Sequence, residues 1–295
     1  MLRISRVRQA LVVTGITSLV VASSLVASAS ATSIKGTYNK ADAATVPSPY
    51  KGTTLQVATD ASYPPDESMK GTAMVGFDID LIKAIGVTLG VQVNENNVTF
   101  KNILAGIAAD KYVIGNSSFT DEKSREKQVN FVDYFQAGEG VYALKSSKVT
   151  FTGLKSLCGM KVAVEAGTTE YTDAVNTAKK CPSSKKLTVL SFQAQTGANL
   201  AVSSGQATLG FVDSQVAGFI VSGNKSFKLV GSAIEVAPYG IATPKTPAGK
   251  GLAKSIQAAI KTLIANGTYG AILAKYGVTE GGLPASKIVL NGAIS

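Results

Sequence analysis

Apolar positions recur four apart at Phe77, Leu81, Ile85 and Leu89, with Ile82 beside them, and draw one helix face across "GFDIDLIKAIGVTLG". Asp78 is placed to cap that helix and Gly90 to end it. Upstream, "TLQVAT" is short and β-rich, and "DASYPPDE" breaks it with turn residues. Downstream, "VQVNENNV" predicts a strand, "FKNILAGIAAD" a helix with Ile103, Leu104 and Ile107 inward, and "YVIGNSSF" another strand. This βαβαβ rhythm predicts a parallel sheet with crossover helices.

After a polar break at Lys145–Lys148 the rhythm restarts. "KVAVEAGTT" reads as strand and turn, "EYTDAVNTAKK" as a helix, "LTVLSF" as a strand and "GANLAVSSG" as a short helix. "ATLGFVD" and "SQVAGFIVSG" add a strand and a helix; "EVAPYGIATP" returns as a strand, and "GKGLAKSIQAAIKTLIANG" and "TYGAILAKYG" close the chain as helices. Two similar α/β blocks result. Ligands of open α/β sheets gather beyond the carboxyl ends of strands. Asp60–Tyr63, Ser117–Thr120, Gly167–Thr169 and Asp213 occupy such ends. Just past the second of these, Asp121 to Lys127 gathers both signs of charge in a chain that is only 16% charged. Either this is a solvated helix face, or Arg125 serves an anion held among Ser117, Ser118 and Thr120.

Composition narrows the classes. The chain has 295 residues, room for two modest domains, and too little charge and proline to be disordered. Its formal charge of +10 suggests an anionic partner, but residues 1–51 carry six Lys/Arg and one Asp, which leaves +5 for the remainder. That charge is spread without a stripe and argues against a nucleic-acid binder. Arg3, Arg6 and Arg8 precede an apolar run and the small residues of "VASASATS", which together read as an export signal over residues 1–31. "LVAS" resembles a lipobox with Ser28 where the lipid-accepting Cys belongs, so a lipid anchor is not expected. Residues 32–51, rich in Ser, Thr, Ala and Pro, predict a flexible lead-in. In an exported chain the only two cysteines, Cys158 and Cys181, are most simply one disulfide. With no histidine anywhere, a zinc site and Ser-His-Asp or Cys-His catalysis are excluded.

From about Gly52 to Ser295 the chain resembles the solute-binding proteins of bacterial polar amino-acid ABC importers, the family 3 extracellular solute-binding proteins. The markers are "ATDASYPP", "GFDIDLIKAIG", "SSFT" ending five residues before Arg125, "VNFVDYF", "KVAVEAGTT" and "ANGTYGAILAKYGV". The resemblance implies a two-lobed, hinged, periplasmic-binding-protein-like α/β fold, each lobe a mainly parallel sheet flanked by helices. Lobe 1 would comprise residues 52–140 and 240–295, lobe 2 residues 141–239, with crossings near Gly138–Val141 and Pro238–Ile241. It also implies roles. Arg125 would fork onto a ligand α-carboxylate, helped by Thr120, Ser118 and the Thr169 N–H. Asp213 would take the α-ammonium, Tyr63 and Phe100 would form aromatic walls, and Asp60 would face the side chain. No catalytic residue, cofactor or metal is implied. The implied partners are a free amino acid and the permease subunits, and the implied state is a monomer. A planar cation for the carboxylate and an acid for the ammonium are what a buried zwitterion requires.

Taken singly, each residue has a plainer reading. Arg125 in "DEKSREK" could be a surface charge, Tyr63 could pack a turn, Phe100 could be core, and Asp213 or Asp60 could cap. The lysine pairs Lys179-Lys180 and Lys185-Lys186 read as solvated faces. The chain also departs from the family: Glu122 replaces a usual Thr, Asp66 a usual Phe, Val113 and Thr208 two usual Asp, and Tyr276 a frequent Trp. Two other classes remain open, a cleft lyase or dehydratase using Glu122 or Glu139 as its acid, and a sensor for a membrane receptor. Asp60 between two aromatic faces favours a polar or basic L-amino acid, basic ahead of amide.

Overall fold

The computed structural model describes residues 36–293; the export signal, Ser28 and the first residues of the lead-in lie outside the described residues. No described helix is long and apolar enough to cross a membrane. The remainder of the lead-in departs from the flexible segment that its composition predicts. Asn39 caps helix α1 (Lys40–Thr45) by accepting from the Ala41 and Asp42 N–H groups. Asp42 in turn accepts from the Thr262 hydroxyl at 2.7 Å, and Val46 is buried. A cap, one long-range bond and one apolar anchor fix what composition alone leaves free.

The next elements are β1 (Thr54–Thr59), a three-stranded meander of β2 (Ser62–Tyr63), β3 (Glu67–Lys70) and β4 (Ala73–Val75), then α2 (Phe77–Leu89), β5 (Gln92–Asn97), α3 (Ile103–Ala108), β6 (Ile114–Gly115), α4 (Lys123–Glu126) and β7 (Val129–Leu144). The second block holds β8 (Lys161–Glu165), α5 (Thr169–Ala178), β9 (Thr188–Phe192), α6 (Gln195–Ser203), β10 (Leu209–Asp213), α7 (Ser214–Gly223) and β11 (Phe227–Leu229). β12 (Ile234–Pro244), α8 (Pro247–Ala265) and α9 (Thr268–Tyr276) complete the chain. The meander replaces the turn expected from "DASYPPDE".

The expected α2 stripe is buried: Phe77, Leu81, Ile82, Ile85 and Leu89 pack in one core with Leu252, Ile256, Ile260 and Leu263 of α8. Burying each such side chain contributes about 1.5–3 kcal/mol. Gly90 ends the helix in the left-handed region, φ +65°. Asp78 does not cap it. Gly76 holds that position, and Asp78 lies fully buried, accepting from the Ser118 N–H (3.0 Å) and the Tyr134 hydroxyl (2.8 Å).

One nine-stranded path runs β5-β1-β6-β12-β7-β10-β8-β9, with β11 added to β7. Each lobe thus has a parallel triplet, β5-β1-β6 and β10-β8-β9. Between them lies an antiparallel ribbon: β7 runs 16 residues and β12 runs 11, and they pair from Val129–Pro244 to Glu139–Ile234. Gly138–Val141 and Pro238–Ile241 fall inside these two strands. The second lobe packs Val162 and Val164 of β8 with Leu209 and Phe211 of β10 on one face, and Ala198 and Val202 of α6 with Val216 of α7 on the other. Cys158 and Cys181 form one disulfide, Cα–Cα 5.5 Å, which ties the segment before β8 to the end of α5. The carboxyl ends of β1, β8 and β10 converge on one cavity.

Candidate functional site

That cavity encloses about 300 Å³ between the lobes, and all the residues singled out for a ligand line it: Asp60, Tyr63, Phe100, Ser118, Thr120, Arg125, Thr169 and Asp213. Glu67, Ser117, Glu165, Thr168 and Glu170 complete the lining.

Arg125 projects from the short α4 and is only 8% exposed. One terminal nitrogen donates to the Thr120 carbonyl at 2.9 Å, the other to the Gly167 carbonyl of the second lobe at 3.0 Å. Each terminal nitrogen keeps its second N–H, since a guanidinium carries five donors. The Phe100 and Phe119 rings stand 5.8 and 5.7 Å from its central carbon. Burial opposes its charge, while Glu122, Glu170 and Asp213 favour it. Glu122 pairs with its Nε at 3.5 Å and, as expected of a poor cap, gives α4 no side-chain capping bond.

Thr168 caps α5 by accepting from the Tyr171 N–H, so the Thr169 N–H sits at the open first turn of a ten-residue helix. The Thr120 and Thr169 hydroxyls meet at 3.4 Å across the lobes. Ser118 lines the cavity with both donors engaged elsewhere, its N–H by Asp78 and its hydroxyl by Asp66 at 2.9 Å. Its left-handed backbone, φ +51°, is what turns those donors inward. Ser118 therefore has no donor left for a ligand carboxylate in this arrangement.

Tyr63 supplies more than a wall. Its hydroxyl donates to Asp213 at 2.7 Å across the cleft. Burial pushes the Asp213 carboxyl up to about 7, and the Tyr63 bond works against that rise. Asp60 accepts from the Phe100 N–H at 2.8 Å, and its own N–H donates to Ser117, which donates to Glu67.

The sequence reading missed two carboxyls on the second lobe. Glu165 ends β8; burial, with Asp60 next, raises it to about 9. Glu170 lies in the first turn of α5; burial, then Asp213, raises it to about 8. The Oε1 of each is buried with no hydrogen-bond donor. The two acids considered for catalysis do not line the cavity: Glu122 pairs with Arg125, and Glu139 is buried on β7 among Glu170, Asp173, Asp213 and Glu235. Behind the cavity Asp66, at the usual Phe position, accepts from Gln215 of the second lobe at 2.7 Å, and Gln215 reaches Tyr239 at 2.6 Å. Tyr276, where a Trp is frequent, donates to Asp80 at 3.0 Å. Among the described residues no cluster of ligating side chains fits a metal ion.

Residues 55–279 match the bacterial extracellular solute-binding proteins, family 3. The arginine-binding protein of Corynebacterium glutamicum is 28% identical over 77% of this chain and 75% of its own. The glutamine-binding protein of an ABC transporter of Bacillus subtilis is 31% identical over 68% of this chain and 72% of its own. A solved ancestral arginine-binding protein, bound to arginine, superposes with a TM-score of 0.70 at 32% identity, over 76% of this chain and 97% of that one. A match over most of the chain, with the two-lobed architecture, makes this protein a member of the family 3 bacterial extracellular solute-binding proteins.

Proposed function

We propose that the protein captures a basic L-amino acid in the cleft outside the cytoplasm and delivers it, as a monomer, to the permease of an ABC importer. One observation carries the ligand class: five carboxyls, Asp60, Glu67, Glu165, Glu170 and Asp213, line the cavity with a single cation, Arg125. A buried excess of acids needs a cationic guest. Arg125 would hold the ligand carboxylate with its free N–H groups, joined by Thr120 and the Thr169 N–H at the start of α5. Asp213, held by Tyr63, would accept the ammonium, Phe100 would cover the stem, and Asp60 would face the side-chain cation. The lobes, residues 52–140 with 240–295 and residues 141–239, would close about the β7–β12 ribbon, because the ligand touches both only when they meet.

A thermal-shift screen over the twenty amino acids and ornithine tests the reading. Arginine, lysine or ornithine should stabilise most, by about 2.7 kcal/mol at roughly 100 times Kd. Stabilisation by glutamate or aspartate alone would overturn it. Co-purification with a permease, rather than with a receptor, tests delivery.

A further inference from the structure

Glu165 and Asp60 come from opposite lobes and meet across the cavity. Asp60 follows β1, and Glu165 is the last residue of β8. Their carboxyls lie within hydrogen-bonding reach of each other, and both side chains line the cavity. Two carboxylates cannot face each other at such range without a cation or a proton between them. No cation is placed to do it. Arg125 is turned to the Thr120 and Gly167 carbonyls, and Lys101, whose Cβ side packs against Gly167, is exposed. The other groups facing Glu165 are acidic, Glu170 on α5 and Asp213 at the end of β10, while Glu67 on β3 is held by Ser117 and Ser118. The Glu165 Oε1 has no donor although it is buried.

We propose that Glu165 selects a cationic over an amide side chain, and that the ligand cation takes the place of a proton that Glu165 and Asp60 share in the empty, closed cleft. The exchange balances: Glu165–COOH donating to the Asp60 carboxylate becomes two carboxylates flanking the side-chain cation, and one proton leaves to solvent. The upward displacement of Glu165 to about 9 agrees with a proton held there at neutral pH. An amide ligand donates N–H groups but carries no charge to displace the proton, so it meets a neutral Glu165. The inference rests on the basic-amino-acid reading and adds to it a residue and a proton count.

Calorimetry of wild-type protein with arginine at pH 7, in two buffers of widely different ionisation enthalpy, reads the proton count directly. Release of close to one proton is expected with arginine and close to none with glutamine. Apparent arginine affinity should rise with pH between 6 and 8, approaching about tenfold per unit, the limit for one exchanged proton. In Glu165→Gln the proton release should vanish, the pH slope should flatten, and the preference for arginine over glutamine should fall at least about tenfold. Asp60→Asn should also suppress the release, and the wild-type count decides the matter even if a variant fails to fold. Arginine binding without proton release would overturn the exchange and leave the ligand class standing. Release unchanged in Glu165→Gln would overturn the assignment to Glu165, and no binding of arginine, lysine or ornithine would overturn both readings.

Discussion

On the first-lobe side of the cleft, polar groups are braced against one another: Asp60 by the Phe100 N–H and Ser117, Ser117 by Glu67, Ser118 by Asp66 and Asp78, and Arg125 by the Thr120 carbonyl. On the second-lobe side, Glu165 and Glu170 each leave a buried oxygen without a donor, and Asp213 takes its hydroxyl partner from Tyr63 of the opposite lobe. One wall is preorganised, whereas the other is completed only by something brought to it. A binding site built this way keeps geometry on one lobe and unmet demand on the other, so closure and recognition become a single event.

The largest effect should come from removing the anchor of the braced wall. Arg125→Ala is expected to cost about 3–5 kcal/mol of ligand affinity by calorimetry, with an unchanged circular dichroism spectrum, because it strands a buried carboxylate. Unchanged affinity would show that the braced wall does not hold the ligand. Next, breaking Cys158–Cys181 by a double Cys→Ser change should lower the unfolding free energy by about 3 kcal/mol in denaturant titration. Ligand affinity should stay within about twofold; a larger fall would mean that the second wall depends on its scaffold and not on its acids. Asp213→Asn should cost about 2 kcal/mol of affinity through the lost charge-assisted bond, and the amide should leave Tyr63 a partner.

A smaller effect concerns pH. Glu165, Glu170 and Asp213 hold their protons up to about 9, 8 and 7 when folded, chiefly through burial. Their favourable contribution is therefore complete below the ordinary carboxyl range and is lost as pH rises through 7 to 9. The ligand-free protein should melt at a higher temperature at pH 6 than at pH 8.5, and a basic ligand should narrow the gap. The opposite order would contradict the raised carboxyls. The smallest effect should follow Glu122→Thr, which supplies the missing cap of α4 and should stabilise by about 0.5 kcal/mol in denaturant titration.

The first-lobe wall was legible in the sequence because its residues lie in short motifs with fixed spacing, Ser118 and Thr120 before Arg125 above all. The second-lobe acids were not equally legible. Glu165 carried a usable signal, since it ends a strand two residues before Gly167, where the strand-end rule already pointed. Glu170 carried none, because an acid in the first turn of a helix is ordinary. Asp78 misled for a related reason: an Asp near a helix start looks like a cap, and only the tertiary approach of Ser118 and Tyr134 gives it another task. The glycines near the crossings also read as breaks. Instead, a Cβ on Gly138 would lie 2.7 Å from the Ile234 carbonyl, and one on Gly140 2.9 Å from the Ser214 Cα. They permit close backbone packing inside a strand, a need that no local pattern reveals.

The β7–β12 ribbon has a consequence for how the protein would look to solvent water. A hinge made of loops exchanges its amide hydrogens quickly, because bending and local opening are then the same motion. Here the proposed pivot is a paired ribbon whose Val132 and Ile241 are fully buried, so it can twist while its backbone bonds stay made. The amides at the joint should rank among the slowest to take up deuterium in the whole chain, and the fastest in the cleft should be those of the short α4.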